Sequence, residues 1–107
     1  MDAIIAYLKR SLEEEKIYQS KDIHHREGYL LRLITLAHLT HQKVRSTELT
    51  KDRSLGSAPT IVAAIQQLVK KGLIQRESDL VDQRNQWLIP TEHALELFRA
   101  LSEVCSQ

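Results

Sequence analysis

Residues 57–74 read SAPTIVAAIQQLVKKGLI, and this stretch decides the fold. Ser57 is a residue type that caps helix N-termini, and Pro59 falls in the first turn, where its missing N–H breaks no hydrogen bond. Three aliphatic residues then recur on one face at helical spacing: Ile61, Ile65 and Leu68. Gly72 can adopt the left-handed conformation that ends a helix. The stretch therefore predicts a sharply bounded helix over 57–71.

The segments on either side predict a helix-turn-helix followed by a hairpin. Upstream, a minimal strand around Val44 precedes a short helix that opens at Ser46, and a turn over 52–56 leads into the capped helix. Downstream, residues 73–77 and 85–89 predict two short strands around a polar, charged tip. A hairpin that follows a helix-turn-helix is the wing of a winged helix.

Helices at both ends complete the predicted architecture. A first helix begins at Asp2 and ends in water at the charged run 13–16. Its apolar stripe consists of Ile4, Ile5, Leu8 and Leu12. A second helix, about 26–41, is apolar on most sides, and Thr91 caps a last one. The predicted fold class is α+β, mostly α: a winged helix-turn-helix with a small β-hairpin wing and flanking N- and C-terminal helices.

The length and composition suit a single domain. The chain has 107 residues, of which 42% are hydrophobic, enough for one core. We expect residues 1–107 to form one winged-helix unit, with the helix-turn-helix and wing in 43–90. Residues 1–42 and 91–107 would supply helices that pack on this unit. A lone cysteine and the absence of an apolar run of membrane-spanning length predict a cytoplasmic protein without a membrane partner.

The charge is nearly balanced overall but unevenly distributed. The formal net charge is only +1. Residues 43–84 carry eight cations against five carboxylates, whereas residues 85–107 carry one cation against three carboxylates. Positive charge thus gathers modestly on the predicted helix-turn-helix and wing, which is the distribution that a nucleic-acid-binding face requires.

The residues that could carry other chemistry form no recognised constellation. His38 and His41 have a spacing compatible with two metal ligands, but no full ligand set has metal-site spacing. The sequence contains no glycine-rich phosphate loop and no nucleophile motif. We therefore predict neither an enzyme nor a cofactor or metal, and the residues point to no particular small-molecule effector.

Two segments resemble the MarR-like winged-helix transcriptional regulators. The runs LGSAPT at 55–60 and KKGLI at 70–74 resemble that family's recognition-helix segment, and DQR at 82–84 with PT at 90–91 resembles its wing signature. The resemblance implies that Arg84 reaches the DNA backbone or minor groove and that Asp82 stabilises this arginine in the wing. It also implies that Thr60 is the polar residue at the start of the recognition helix and that the terminal helices form a dimer.

The recognition helix over 57–71 and the wing over 75–89 supply most of the predicted DNA contacts. The predicted DNA-binding residues are Ser57, Thr60, Ala63, Gln66, Gln67 and Lys70 on the helix, Arg76 and Arg84 on the wing, and Lys43 and Arg45 just before the helix-turn-helix. Glutamine can read adenine through two hydrogen bonds, and alanine can contact a thymine methyl group.

Two functions from different classes remain open at this point. The first is a homodimeric transcriptional regulator that binds double-stranded DNA at a roughly palindromic site. The second is a winged-helix protein–protein interaction module without sequence-specific DNA binding. The low net charge and the absence of arginine from the recognition helix favour this alternative.

Overall fold

The computed structural model describes residues 1–81 and 86–105. In this part of the chain five α-helices and three strands follow one another: α1 (Asp2–Ser20), α2 (His25–Leu39), β1 (Val44–Arg45), α3 (Ser46–Lys51), α4 (Ala58–Lys70), β2 (Ile74–Ser78), β3 (Gln86–Pro90) and α5 (Glu92–Cys105). A short 3-10 turn, Arg53–Leu55, connects α3 to α4. The elements and their order are those that the sequence predicts.

The three strands form one antiparallel sheet in the order β1-β3-β2. In this register Val44 lies opposite Leu88, and Arg45 lies opposite Trp87. On the other side of β3, Glu77 of β2 also lies opposite Trp87. Successive side chains of a strand point to opposite faces. One sheet face therefore turns Val44 and Leu88 toward the core, with the exposed Arg76 at its β2 edge, and the other face carries charged residues around Trp87.

The core lies between α2, α4 and the sheet. Its most deeply buried side chains include Leu30, Leu31 and Ile34 of α2, Ile61, Ile65 and Leu68 of α4, and Ile74 and Leu88 of the sheet. The predicted central helix and the predicted inner face of the recognition helix are both observed. Burial of these aliphatic side chains is the main force that holds α4 against the body, at about 1.5–3 kcal/mol for each.

Both ends of α4 have the caps that the sequence predicts. The Ser57 hydroxyl accepts a hydrogen bond from the Thr60 backbone N–H at 3.3 Å. Gly72 has a φ of 74°, in the left-handed region, directly after the last turn. Gly56, just before the cap, has a φ of 128°, a conformation that favours glycine over any residue with a Cβ. The start and end of the helix are therefore encoded locally.

Helix α1 is longer than predicted. It continues for 19 residues to Ser20 and does not end at the acidic run. The reason is tertiary packing: Tyr18 is buried in the core, and Glu14 lies 3.7 Å from the Arg32 guanidinium of α2. The predicted stripe, in contrast, is uncovered, with Ile4 56% and Leu12 64% exposed. The C-terminal half of α1 thus packs on the rest of the chain, and the apolar side chains of its N-terminal half are exposed.

Candidate nucleic-acid interface

The outward side of α4 is polar and uncovered. Because its aliphatic residues fill the core, the opposite face is left to solvent. Among the predicted DNA-binding residues of this helix and its cap, Ser57, Ala63, Gln66, Gln67 and Lys70 are exposed and Thr60 is half-buried. The residues Ala58–Lys70 include no carboxylate. The structure thus brings the six predicted helix residues to one accessible surface free of acidic groups from α4 itself.

The hydroxyl groups at the start of α4 are joined to each other. Ser57 Oγ and Thr60 Oγ1 lie 2.7 Å apart, and Ser57 Oγ also caps the helix. A hydroxyl has one donor and two acceptor positions, so each group keeps hydrogen-bonding capacity for a ligand. The cap fixes where these two side chains stand at the end of the exposed face.

Two cations that the sequence analysis did not single out flank this end of α4. Lys51 and Arg53 are both exposed. They line an open depression of about 660 Å³, together with Thr50, Gly56, Ser57 and Ala58. Among residues 1–81 and 86–105, neither cation forms an ion pair, although the exposed Asp52 lies between them in the sequence and accepts hydrogen bonds from Ser54. Lys51 ends α3 and Arg53 lies in the turn that leads into the capped helix, and these positions were the available signal.

Lys43 and Arg45 lie on the charged face of the sheet, around Trp87. Lys43 Nζ is 3.8 Å from Glu77 Oε1, and Arg45 Nη2 is 3.7 Å from Asp79 Oδ2. The Arg45 guanidinium also stacks over the Trp87 ring, 4.4 Å from its centroid. These carboxylates offset part of the positive charge that the sequence predicts for DNA binding. A DNA contact by either residue remains a prediction.

The wing carries the remaining predicted contacts. Arg76 is exposed on β2, an edge strand of the sheet. Arg84 and Asp82 lie outside the described residues, so their predicted roles rest on the sequence alone. At the described end of the wing, Leu80 and Val81 are almost fully exposed. The β2–β3 hairpin therefore projects beyond the core.

An exposed, capped helix beside a β-hairpin defines a winged helix-turn-helix. The chain matches no protein-family model and no curated protein sequence. Its fold matches that of a MepR mutant of S. aureus bound to an oligodeoxyribonucleotide, with a TM-score of 0.74 and 21% identity over 94% of this chain and 70% of that chain.

Two further solved structures show the same architecture. The S. aureus MepR–DNA complex has a TM-score of 0.72 and 20% identity, over 97% of this chain and 76% of that chain. AbsC, a MarR family transcriptional regulator from Streptomyces coelicolor, has a TM-score of 0.66 and 18% identity, over 98% of this chain and 69% of that chain. The protein therefore has the winged-helix fold of MarR-family structures, and the predicted fold class is confirmed.

In the described part of the chain, no three histidine, cysteine, aspartate or glutamate side chains come together as a group that could hold a metal ion. None of the helices described is both long and apolar enough to cross a bilayer. The outward side of α4 with its flanking cations is the candidate functional surface.

Proposed function

We propose that this protein is a DNA-binding transcriptional regulator that inserts α4 into the major groove. The observation that carries the proposal is the uncovered polar face of α4, which lacks carboxylates and has cations near both ends. Lys51 and Arg53 stand at its start, and Lys70 stands at its end. B-DNA has a major groove about 12 Å wide, which admits an α-helix. The wing would lie alongside, on the backbone or in the minor groove.

The side chains divide into two chemical groups. Lysine and arginine would contact phosphates, which provides affinity without sequence information. Gln66 and Gln67 would read adenines, and Ala63 would contact a thymine methyl group. Thr60 would contact a base edge or a phosphate near the helix start. MepR, which shares the fold, has been solved with DNA, and this supports the same partner class here.

We further propose that two protomers associate through their terminal helices. The apolar stripe of α1 lies outside the core of its own protomer, with Leu8 51% exposed. The other end of α1 is anchored in the core, and α1 packs against α5. A second copy would cover the stripe and place two α4 helices on one side of the dimer. Two such helices read half-sites about 10 base pairs apart, centre to centre.

A protein–protein interaction module is the second candidate. Its support is the charged face of the sheet, where the cations around Trp87 are paired with Glu77 and Asp79. A surface with matched charges and a partly exposed tryptophan suits a protein partner better than a polyanion. The two candidates differ in the expected salt dependence of binding to DNA.

A titration of mixed-sequence duplex DNA tests the proposal. Fluorescence anisotropy of a labelled 30-base-pair duplex is measured at 50 and 200 mM salt. Four neutralised phosphates give a slope of about −3.6 in log K against log[salt], so the affinity should fall at least about a hundredfold. Affinity that is absent at 50 mM, or that changes less than threefold with salt, would contradict DNA binding and favour the interaction module.

Selection of bound sequences from a random duplex pool then tests the dimer. The expected result is an enriched motif with two-fold symmetry, bound by a species that sedimentation equilibrium identifies as two chains per duplex. An enriched motif without symmetry, bound by a single chain, would retain the DNA-binding function and refute the dimer.

A further inference from the structure

We propose that the first turn of α2 fixes both ends of α4, so that Arg26, Glu27 and Lys71 are positioning residues for DNA recognition. The inference rests on the proposed function, because it assigns these residues an effect on sequence readout by α4. Glu27 and Lys71 face the body of the protein, whereas Arg26 is exposed beside the turn that precedes α4.

The start of α4 is attached to α2 through Arg26. Its Nε donates a hydrogen bond to the Leu55 carbonyl oxygen at 3.1 Å, in the turn that precedes α4. The guanidinium also lies against Gly56, where an added Cβ would come within 3.4 Å of Nε. This is an ordinary van der Waals distance, so the positive φ at Gly56, and not the space beside Arg26, favours glycine. Leu55 and Gly56 are the two residues before the Ser57 cap.

The end of α4 is attached to α2 through the next residue, Glu27. The Lys71 ammonium donates to Glu27 Oε1 at 2.6 Å and also to the Asp22 carbonyl oxygen. Glu27 is 5% exposed, and the Lys71 side chain is 20% exposed. A carboxylate and an ammonium withdrawn from water in this way strongly disfavour separation, because either partner alone would remain desolvated.

These two attachments supply what apolar packing does not. The inner face of α4 packs on α2 through aliphatic side chains, whose attraction has no preferred direction. A helix of 13 residues is about 20 Å long, and hydrogen bonds at both ends restrict its sliding and rotation. Base readout requires side chains held within about 0.5 Å of the productive geometry. The adjacent residues Arg26 and Glu27 would provide this precision.

The adjacent residues Lys70 and Lys71 would have different functions. Lys70 is exposed and would contact phosphate, whereas the Lys71 ammonium points inward to Glu27 and Asp22. Removal of a phosphate contact weakens all sequences alike and lowers the salt slope by about 0.9. Loss of a positioning contact should instead weaken the preferred sequence selectively and leave the slope unchanged.

The test compares Lys71→Met with Lys70→Met on two duplexes, the selected preferred site and a shuffled sequence of equal length. For Lys71→Met we expect at least a tenfold loss on the preferred site, less than a twofold loss on the shuffled duplex, and an unchanged salt slope. For Lys70→Met we expect equal losses on both duplexes and a lower slope. Lys71→Arg should recover part of the discrimination, because arginine can still pair with Glu27.

A second variant and a measurement of helix orientation distinguish loss of positioning from loss of folding. Glu27→Gln removes the charge but keeps the shape, and it replaces Lys71→Met if thermal unfolding shows that variant to be unfolded at the assay temperature. Residual dipolar couplings without DNA report the orientation of α4 relative to α2, which should change in the variants. Unchanged orientation, or equal losses on both duplexes, would overturn the inference. Failure of the wild type to bind DNA while the orientation shifts would refute the proposed function alone.

Discussion

The outward side of α4 and the charged face of the sheet differ in how their cations are balanced. On α4 and the turn before it, the cations stand beside polar residues and one exposed carboxylate, Asp52, and the helix itself contains no carboxylate. On the sheet, the antiparallel register places Arg45, Trp87 and Glu77 side by side on three strands. The comparison shows that a count of basic residues along the sequence overstates the charge that a partner meets.

The difference has an electrostatic consequence but only a small effect on stability. Exposed ion pairs contribute about 0–1 kcal/mol to folding, so the half-exposed Lys43–Glu77 pair is a weak contributor. The Arg45–Asp79 pair is more buried, with an Asp79 side chain that is 14% exposed. Their effect on the field is larger, because each carboxylate cancels one unit charge close to where phosphate would approach. We therefore expect Lys51 and Arg53 to contribute more to DNA affinity than Lys43 and Arg45.

The largest expected effect follows removal of the two cations at the start of α4. The double variant Lys51→Ala with Arg53→Ala should lose roughly 60-fold in affinity per protomer for any duplex at 100 mM salt, since two phosphate contacts contribute about 1.8 logarithmic units there. The slope of log K against log[salt] should fall by about 1.8 per protomer. Anisotropy titrations at four salt concentrations measure both quantities.

A matched control removes two cations from elsewhere on the protein. Lys16 and Arg99 are exposed and pair with Glu13 and Glu92 on α1 and α5. Their combined replacement by alanine should change the affinity less than threefold. Equal losses in both double variants would mean that net charge, and not the position beside α4, governs binding.

A smaller and more selective effect is expected on the face of α4 itself. Gln67→Ala should reduce the preference for adenine at one position of each half-site by about tenfold, within the 1–3 kcal/mol of a bidentate pair. Competition with single-base variants of the selected site measures this preference for adenine. Arg84→Ala should, in contrast, weaken binding to all sequences alike. Gln19→Ala, on the exposed side of α1, is the control, and uniform loss with Gln67→Ala would refute base readout.

The smallest expected effect is an increase in affinity. Asp79→Asn should strengthen DNA binding about two- to threefold at 50 mM salt, because it releases the Arg45 guanidinium from a carboxylate in a partly solvated pair. The asparagine oxygen can still accept the Val81 N–H, which Asp79 accepts at 2.9 Å. Glu96→Gln on α5 provides the control for the change in net charge. Unchanged or weaker binding would show that Arg45 contributes nothing to the interface.

The sequence predicts α4 well because the information there is local. A cap, a first-turn proline, a three-residue aliphatic stripe and a terminal glycine all act within one element. The predicted end of α1 at the acidic run was wrong, because the helix continues to Ser20, where burial of Tyr18 depends on contacts with α2. The opposite orientations of Lys70 and Lys71 were also hidden, since Glu27 is 44 residues away from its partner.

The uncovered stripe of α1 has a consequence for how DNA binding would depend on the concentration of the protein. If covering this stripe requires a second chain, assembly precedes tight binding, and free dimer rises with the square of total protein while the monomer predominates. Operator occupancy, while it is low, would then rise with the square of the protein concentration. A twofold change in synthesis would change the concentration of free dimer by up to about fourfold.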